Sequence, residues 1–558
     1  YNIIYHHNCK IMQRRSFFKS LSGQKQSSAG ATMAAPLGLE KYTGPWTDAH
    51  SAHLLRRTVF GGRFQDIKKF TSQGMDTSVS ILTNLEPVTD LPLNYDFESD
   101  PKVPIGTSWV NKAHDPVNNT NNYRFRSLNG WTMGRLMARE MNIREKMTLF
   151  WHNHFVVADV NEARYYFKYI DTFRQNPLGN FKEFAKKMTI DPAMLRYLNG
   201  NQNTKNAPNE NYARELLELF TIGKGPIAGP GDYTNYTEED VLAIAKVLTG
   251  WTDIGFRSPN LDVVTSTFRP NQHDTGTKKL SHRFNNAVIN NAGAEEYKVL
   301  IDTIFQQEEV SKFIARKLYR WFVYYQIDDS IESAIIEPLA QIIRDNNYEL
   351  KPAIVALLTS EHFYADFGCM IKNPLDFIAS ATSQNGITIA GDLVQQYNTW
   401  NAFFQYGALL QMRYFGLPSV AGWKAYYQEP LYYQTWINSV TLPLRKAYTD
   451  ALSTLNNNTR GIRLDIDVVG LITSFSNPAD IETLINDVAL VLLPKPLSED
   501  QVNTLKELMI PGLPDYEWTV EYEAYIANPS DLLLKRSVEN KLRLLYAYMM
   551  RMPEYQLS

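Results

Sequence analysis

The chain has 558 residues, 44% hydrophobic and 21% charged, and its 56 Lys and Arg against 59 Asp and Glu leave a net charge of -3. That length allows roughly two to four average domains, or one large helical domain with extensions. The balance offers no basic face for nucleic acid, and the two cysteines, Cys9 and Cys369, supply neither a disulfide framework nor a cysteine metal site. No apolar run reaches the ~18 residues of a transmembrane span.

Residues 1–45 read as a disordered leader. Met12 is the expected true start, because 1–11 look like translated upstream sequence. Arg14-Arg15-Ser16-Phe17-Phe18-Lys19 has the form of a twin-arginine export signal, but 20–33 is rich in Ser, Gly, Gln and Lys where an apolar stretch belongs. Two locations follow: periplasmic or extracellular if this is a signal, cytoplasmic if it is a basic disordered terminus.

From Asp48 the pattern turns helical, with Ala52, Leu55, Val59 and Phe60 at helical spacing and Gly61-Gly62 closing the turn. One or two helices fill 64–82, and 85–122, rich in Pro, Asn and Asp, is irregular. One or two long helices occupy 131–157, and others 163–174, 181–188 and 192–198. A helix from about Asn209 ends at Gly223, and Thr237 with Glu238, Glu239 and Asp240 opens the next. Residues 252–292 are polar and carry short strands near 263–268. Helices resume at 294–306, 309–324, 330–346 and 350–360, and after Pro374. A Pro/Tyr/Trp-rich loop fills 417–436, and a helix follows at 444–455. The fold class is mostly α: one large multi-helical domain over 46–470 with long irregular loops and a few short strands, then a C-terminal helical cap over 471–558.

Two stretches carry the polar chemistry. The first is Arg144-Glu145-Lys146-Met147-Thr148-Leu149-Phe150-Trp151-His152-Asn153-His154-Phe155. If it is a continuous helix, His152 and His154 stand about 200° apart and cannot share an ion. If the helix ends near Trp151, the tripeptide is extended and both imidazoles point the same way. The bland alternative is that His152, Asn153 and His154 cap the helix or satisfy buried backbone groups. The second stretch, from Pro208 to Gly223, has Tyr212, Ala213, Leu216, Leu217 and Phe220 as a core stripe. Glu210–Arg214 and Arg214–Glu218 are i,i+4 pairs within it. His273-Asp274, in a loop with Gly276 and Lys278, pairs an imidazole with a carboxylate, as a general base or a metal site would. Its alternative is a loop-closing set of hydrogen bonds. Zincin, di-iron, Walker, nucleophile-elbow and dinucleotide signatures are absent.

Taken in order, Ala52-His53-Leu54-Leu55-Arg56-Arg57, the Arg144–Phe155 stretch, Pro208-Asn209-Glu210-Asn211-Tyr212-Ala213-Arg214-Glu215-Leu216, Leu248-Thr249-Gly250-Trp251, His273-Asp274-Thr275-Gly276-Thr277-Lys278 and Val420-Ala421-Gly422-Trp423 resemble the bacterial family catalogued as domain of unknown function 1800. The matches run from about 46 to 450. Leu280-Ser281-His282 departs from the pattern, which has a glycine after the leucine. The resemblance implies an exported protein with an exported partner, and no settled activity.

Two functions are expected from these residues. The first is a metal-assisted hydrolase of envelope or extracellular polymers, with His152, His154, Glu210, Arg214, His273 and Asp274 catalytic, Asn153, Asn209, Lys278 and Trp423 ligand-binding, and a divalent metal of unknown identity as cofactor. The second is a non-catalytic scaffold or ligand-binding subunit whose aromatic loop (Trp423, Tyr426, Tyr427, Tyr432, Trp436) contacts a partner. Convergence of the motifs in one pocket favours the first, and an exposed aromatic patch the second.

Overall fold

The computed structural model describes residues 38–230, 232–389, 391–454, 458–459 and 462–558. Residues 1–37 of the leader, with its arginine pair, therefore lie outside the described residues. The chain is mostly α, and its strands, among the described residues, are four two-stranded antiparallel hairpins. The longest of these pairs Trp251–Ile254 with Thr265–Phe268. Among the described residues no helix is long and apolar enough to cross a membrane.

Local chemistry sets the helix boundaries. Asp48–Thr58 stops three residues before Gly61, whose φ of +93° few other residues adopt. Gly74, at φ +77°, divides the 64–82 region into Phe64–Gln73 and Met75–Thr83. Thr237 forms a full capping box with Asp240 at the head of Glu238–Val247. Asp240 then accepts from the backbone N–H and hydroxyl of Ser281, at 2.6 and 2.7 Å, which fastens the segment that departs from the family pattern. The helix after Asn209 begins as Glu210–Glu215 and widens into π-helical turns over Leu216–Thr221 before Gly223. Its expected stripe, from Tyr212 to Phe220, is buried.

The Arg144–His154 helix lies at the centre, and every residue of it except Asn153 is buried. A surface helix would leave a polar face in water; this one is surrounded. Trp151 packs on Phe155, Phe173, Phe181 and Phe184, and Phe150 meets Trp321 edge-on. Glu145 is paired with the buried Arg174, whose Nε donates at 2.9 Å. The apolar core is continuous from Ala52 to Leu557.

The aromatic loop is not a surface patch. Trp423, Tyr432 and Trp436 are buried, and the Tyr426 ring lies 4.7 Å from that of Trp321, tilted by 33°. Only Tyr427 of the five is substantially exposed, at 40%. The exposed contact surface expected of these residues is corrected accordingly: the rings are large apolar bodies that the loop buries against the Glu308–Phe322 helix and Tyr325.

Candidate functional site

The central helix runs unbroken through His154, so its two imidazoles leave on different sides. The extended geometry needed for both rings to grip one ion does not occur. The backbone N–H of Phe415 donates to His152 Nε2 at 3.1 Å. The ring proton therefore sits on Nδ1, which donates to Tyr169 Oη at 2.9 Å, and Tyr169 donates onward to Phe155 O at 2.6 Å. Tyr414, Phe415 and Trp423 close around the ring, and burial pushes its pKa down to about 3. Both nitrogens are spent. His152 ties the helix to the 414–423 loop.

Asn153 completes that tie. Its Oδ1 accepts from the Trp423 N–H at 2.9 Å. Gly422, at φ +92°, passes so close that an added Cβ would lie 2.4 Å from Asn153 Oδ1, so the Gly422-Trp423 pair is a docking surface for Asn153.

His154 is different. Its Nε2–H donates to Phe220 O at 3.1 Å, while Nδ1 is enclosed and has no partner. Burial, with Lys317 nearby, holds the ring well below the usual imidazole range. With Asn153, Lys317, Arg320, Trp321 and Tyr427 it lines a cavity of about 40 Å³, enough for water or one small polar group. Lys317 Nζ donates to Leu219 O at 3.1 Å, and burial, with Arg320 adding to it, pushes the amine down to about 7. Arg320 Nε donates to Tyr325 O at 3.1 Å, and burial lowers its pKa too. Among the described residues neither cation forms an ion pair. The Trp321 indole N–H is likewise enclosed without an acceptor.

The second stretch serves the fold. Asn209 caps its helix by accepting from the Tyr212 N–H and donates to Leu198 O at 2.9 Å. Glu210 is exposed. Arg214 pairs with neither Glu210 nor Glu218; it grips Glu238 through two bonds of 2.7 Å. The expected pairs lose because Glu238, in the first turn of the adjacent helix, meets the guanidinium fork with both oxygens.

His273 forms a third, separate cluster. Its Nδ1 donates to Thr249 O at 2.9 Å and its Nε2 lies 3.0 Å from Glu296. Lys278 reaches the other Glu296 oxygen at 2.5 Å and also bonds Asp274 O. Asp274 itself accepts from the Gly276 N–H at 2.8 Å. This is a buried, internally balanced network that closes the loop on Thr249 and Gly250. Among the described residues no hydrogen bond or ion pair joins His152 or His154 to Glu210, Arg214, His273 or Asp274. No group of three or more His, Cys, Asp or Glu side chains there could hold a metal ion. Sequence reasoning passed over Lys317, Arg320 and Glu296. The first two were visible only as cations three apart on an amphipathic helix, and Glu296 left no signal.

The family model described as a protein of unknown function, DUF1800, matches residues 53–557. The chain belongs to this family. No curated protein and no solved structure matches it. Within this DUF1800 chain the quoted motifs divide into two kinds. Most hold the fold together through cross-element bonds, while the His-Asn-His stretch also borders a cavity with unpaired polar groups.

Proposed function

We propose that this DUF1800 protein binds a small anionic group, a carboxylate or phosphate, in the cavity between His154, Lys317 and Arg320. One observation carries the reading: two cations converge there without any ion pair among the described residues, beside His154 Nδ1 and Trp321 Nε1, both enclosed and unpartnered. An anion would accept from Lys317, Arg320 and the indole, and a hydroxyl on the same ligand would donate to His154 Nδ1. The reading belongs with a ligand-binding subunit. Metal-assisted hydrolysis draws no support from this geometry, because His152 has both nitrogens engaged and the other motif residues lie in separate clusters. Export rests on the Arg14–Lys19 segment and on what the family resemblance implies, and partner contact on that resemblance without the aromatic loop behind it.

Calorimetric titration with acetate and with inorganic phosphate tests the proposal. Lys317→Ala and Arg320→Ala are each expected to weaken binding about tenfold or more, as loss of a charge-assisted bond should. A bound anion also raises the Lys317 pKa from about 7, so binding near neutral pH takes up a fraction of a proton. Heats that do not depend on the ionisation enthalpy of the buffer, or affinity unchanged in both variants, would refute the assignment.

A further inference from the structure

Another cavity, of about 120 Å³, lies on the seam between the main helical part and the C-terminal helices. From the first side come Arg63 and Phe64, at the head of the Phe64–Gln73 helix, and Gln384, the last residue of Pro374–Gln384. From the second come Leu471 and Phe475, Val491 near the end of Ile481–Leu492, and Tyr546 of Leu532–Arg551. The walls are largely apolar, and the Phe64 and Phe475 ring centroids stand 4.9 Å apart, tilted by 48°.

Two polar groups in this cavity lack partners. The Arg63 guanidinium makes no ion pair or hydrogen bond among the described residues. Its Nε is enclosed, 3.4 Å from where a Cβ on Gly386 would lie, so the two terminal nitrogens are the ones left open. The carboxylate that acts on it, Asp66, is taken by Arg139 at 3.0 Å and by the Arg63 backbone N–H at 2.9 Å. Tyr546 is 2% exposed, its hydroxyl bonds to nothing among the described residues, and burial pushes its pKa up. A hydroxyl buried in that way is costly unless something in the cavity meets it. The other polar groups are committed. Gln384 Nε2 donates to Val491 O at 2.5 Å and its Oε1 is enclosed, and the Thr473 and Ser474 hydroxyls donate to Gly470 O and Leu471 O at 2.8 and 3.0 Å. No carboxylate lines the cavity; Asp467, which caps the Gly470 N–H at 3.0 Å, borders a separate cleft. Arg63 and Arg139 against Asp66 leave one positive charge here.

We propose that the seam cavity binds a short-chain monocarboxylate. The carboxylate takes the terminal N–H groups of Arg63, whose fork matches two oxygens. The Tyr546 hydroxyl supplies a second polar contact, and the alkyl chain lies along Phe64, Leu471 and Phe475. One open guanidinium in an otherwise uncharged, largely apolar lining suits a singly charged acid better than phosphate, whose second charge would be desolvated without a partner. Since a cavity of ~150 Å³ holds benzene, this one takes roughly six non-hydrogen atoms, the size of butyrate. Because both sides of the seam touch it, the bound acid stabilises the native joint. The inference is independent of the cavity at Lys317, which is built from other elements.

Titration calorimetry of the full chain with propionate, butyrate and the uncharged butyramide provides the test. Butyrate should bind saturably, about fourfold more tightly than propionate for its extra CH₂, and should raise the melting temperature, while butyramide should not bind. Arg63→Gln should weaken butyrate about tenfold or more and Tyr546→Phe about threefold or more, whereas Lys317→Ala should leave this site unchanged. Neither the Arg63 guanidinium nor the Tyr546 hydroxyl bonds to the fold, so melting temperatures without ligand verify that both variants are native. Absence of saturable butyrate binding overturns the proposal, as does butyramide binding equally well or phosphate competing more tightly. So does a butyrate site that Lys317→Ala weakens and Arg63→Gln does not, which would place the acid in the other cavity.

Discussion

His53, His152 and His154 are all held below the usual imidazole pKa, burial being the first cause in each case, so the native state keeps them neutral. The unfolded chain protonates each near pH 6.5. As pH falls below that value the unfolded state binds protons that the native state refuses, and stability falls. For His152 the window runs from about 6.5 down to about 3, at about 1.4 kcal/mol per pH unit. His152→Gln keeps an acceptor for the Phe415 N–H and removes the titrating ring. It is expected to cost about 1–3 kcal/mol at pH 7 through the bonds it disturbs. It should also flatten the slope of stability against pH between about 4 and 6 by one proton, read from urea denaturation at several pH values. An unchanged slope would mean that His152 is not held neutral. The sequence made His152 and His154 visible but not their separate roles. Those depend on Tyr169, Phe220 and Phe415, which are up to 263 residues distant and reach the rings only through the fold.

A recurring device joins the helices: a buried cation from one element caps the C-terminal carbonyls of another. Arg57 donates to Trp321 O and Phe322 O at 3.0 and 2.9 Å, at the end of Glu308–Phe322. Arg56 reaches Leu490 O and Val491 O at the end of Ile481–Leu492, and Arg144 reaches Arg174 O. Lys317 does the same for Leu219 O, beside which the neutral His154 donates to Phe220 O. Those carbonyls have no partner within their own helix and carry the negative end of its dipole, so a cation there meets two needs. Arg57→Met strips both carbonyls and the Ser558 hydroxyl of their donor, with an expected loss of about 3 kcal/mol in urea denaturation. Arg126→Met, at a half-exposed ion pair with Asp96, serves as the control and should cost under about 1 kcal/mol. Equal losses would mean that the caps add nothing. Periodicity made the helices readable, down to Thr237 as a cap and Gly223 as a stop. The arginines of the Ala52–Arg57 motif were readable as a pattern only, since the carbonyls they serve lie more than two hundred residues downstream.

At the scale of the whole molecule those caps bear on how the C-terminal helices relate to the rest. From sequence, 471–558 reads as a small helical cap with a polar break near 511–514, and the mostly α class of the whole chain was plain. What a one-dimensional pattern could not convey is how the two parts are joined. Arg56 and Arg57 reach from the Asp48–Thr58 helix to Leu490, Val491 and Ser558, Lys372 donates to Tyr555 O at 2.9 Å, and Arg543 donates to Ser453 O at 3.2 Å. All four cations are buried. Removing the C-terminal part would strip Arg56 of both carbonyls to which it donates and Lys372 of Tyr555 O, and would expose to water the apolar core packed beside them, a loss of buried area far larger than any single bond. A chain ending at residue 470 is therefore expected to lack cooperative melting and native near-ultraviolet circular dichroism, even though it keeps the Arg144–His154 helix and the anion cavity. Hydrogen exchange on the intact protein should correspondingly show Ile481–Leu492 and Arg144–His154 opening with similar free energies. A soluble 38–470 fragment that melts cooperatively would show instead that the buried cations find water or other carbonyls at little cost, and that the C-terminal helices are an accessory to a core that folds without them.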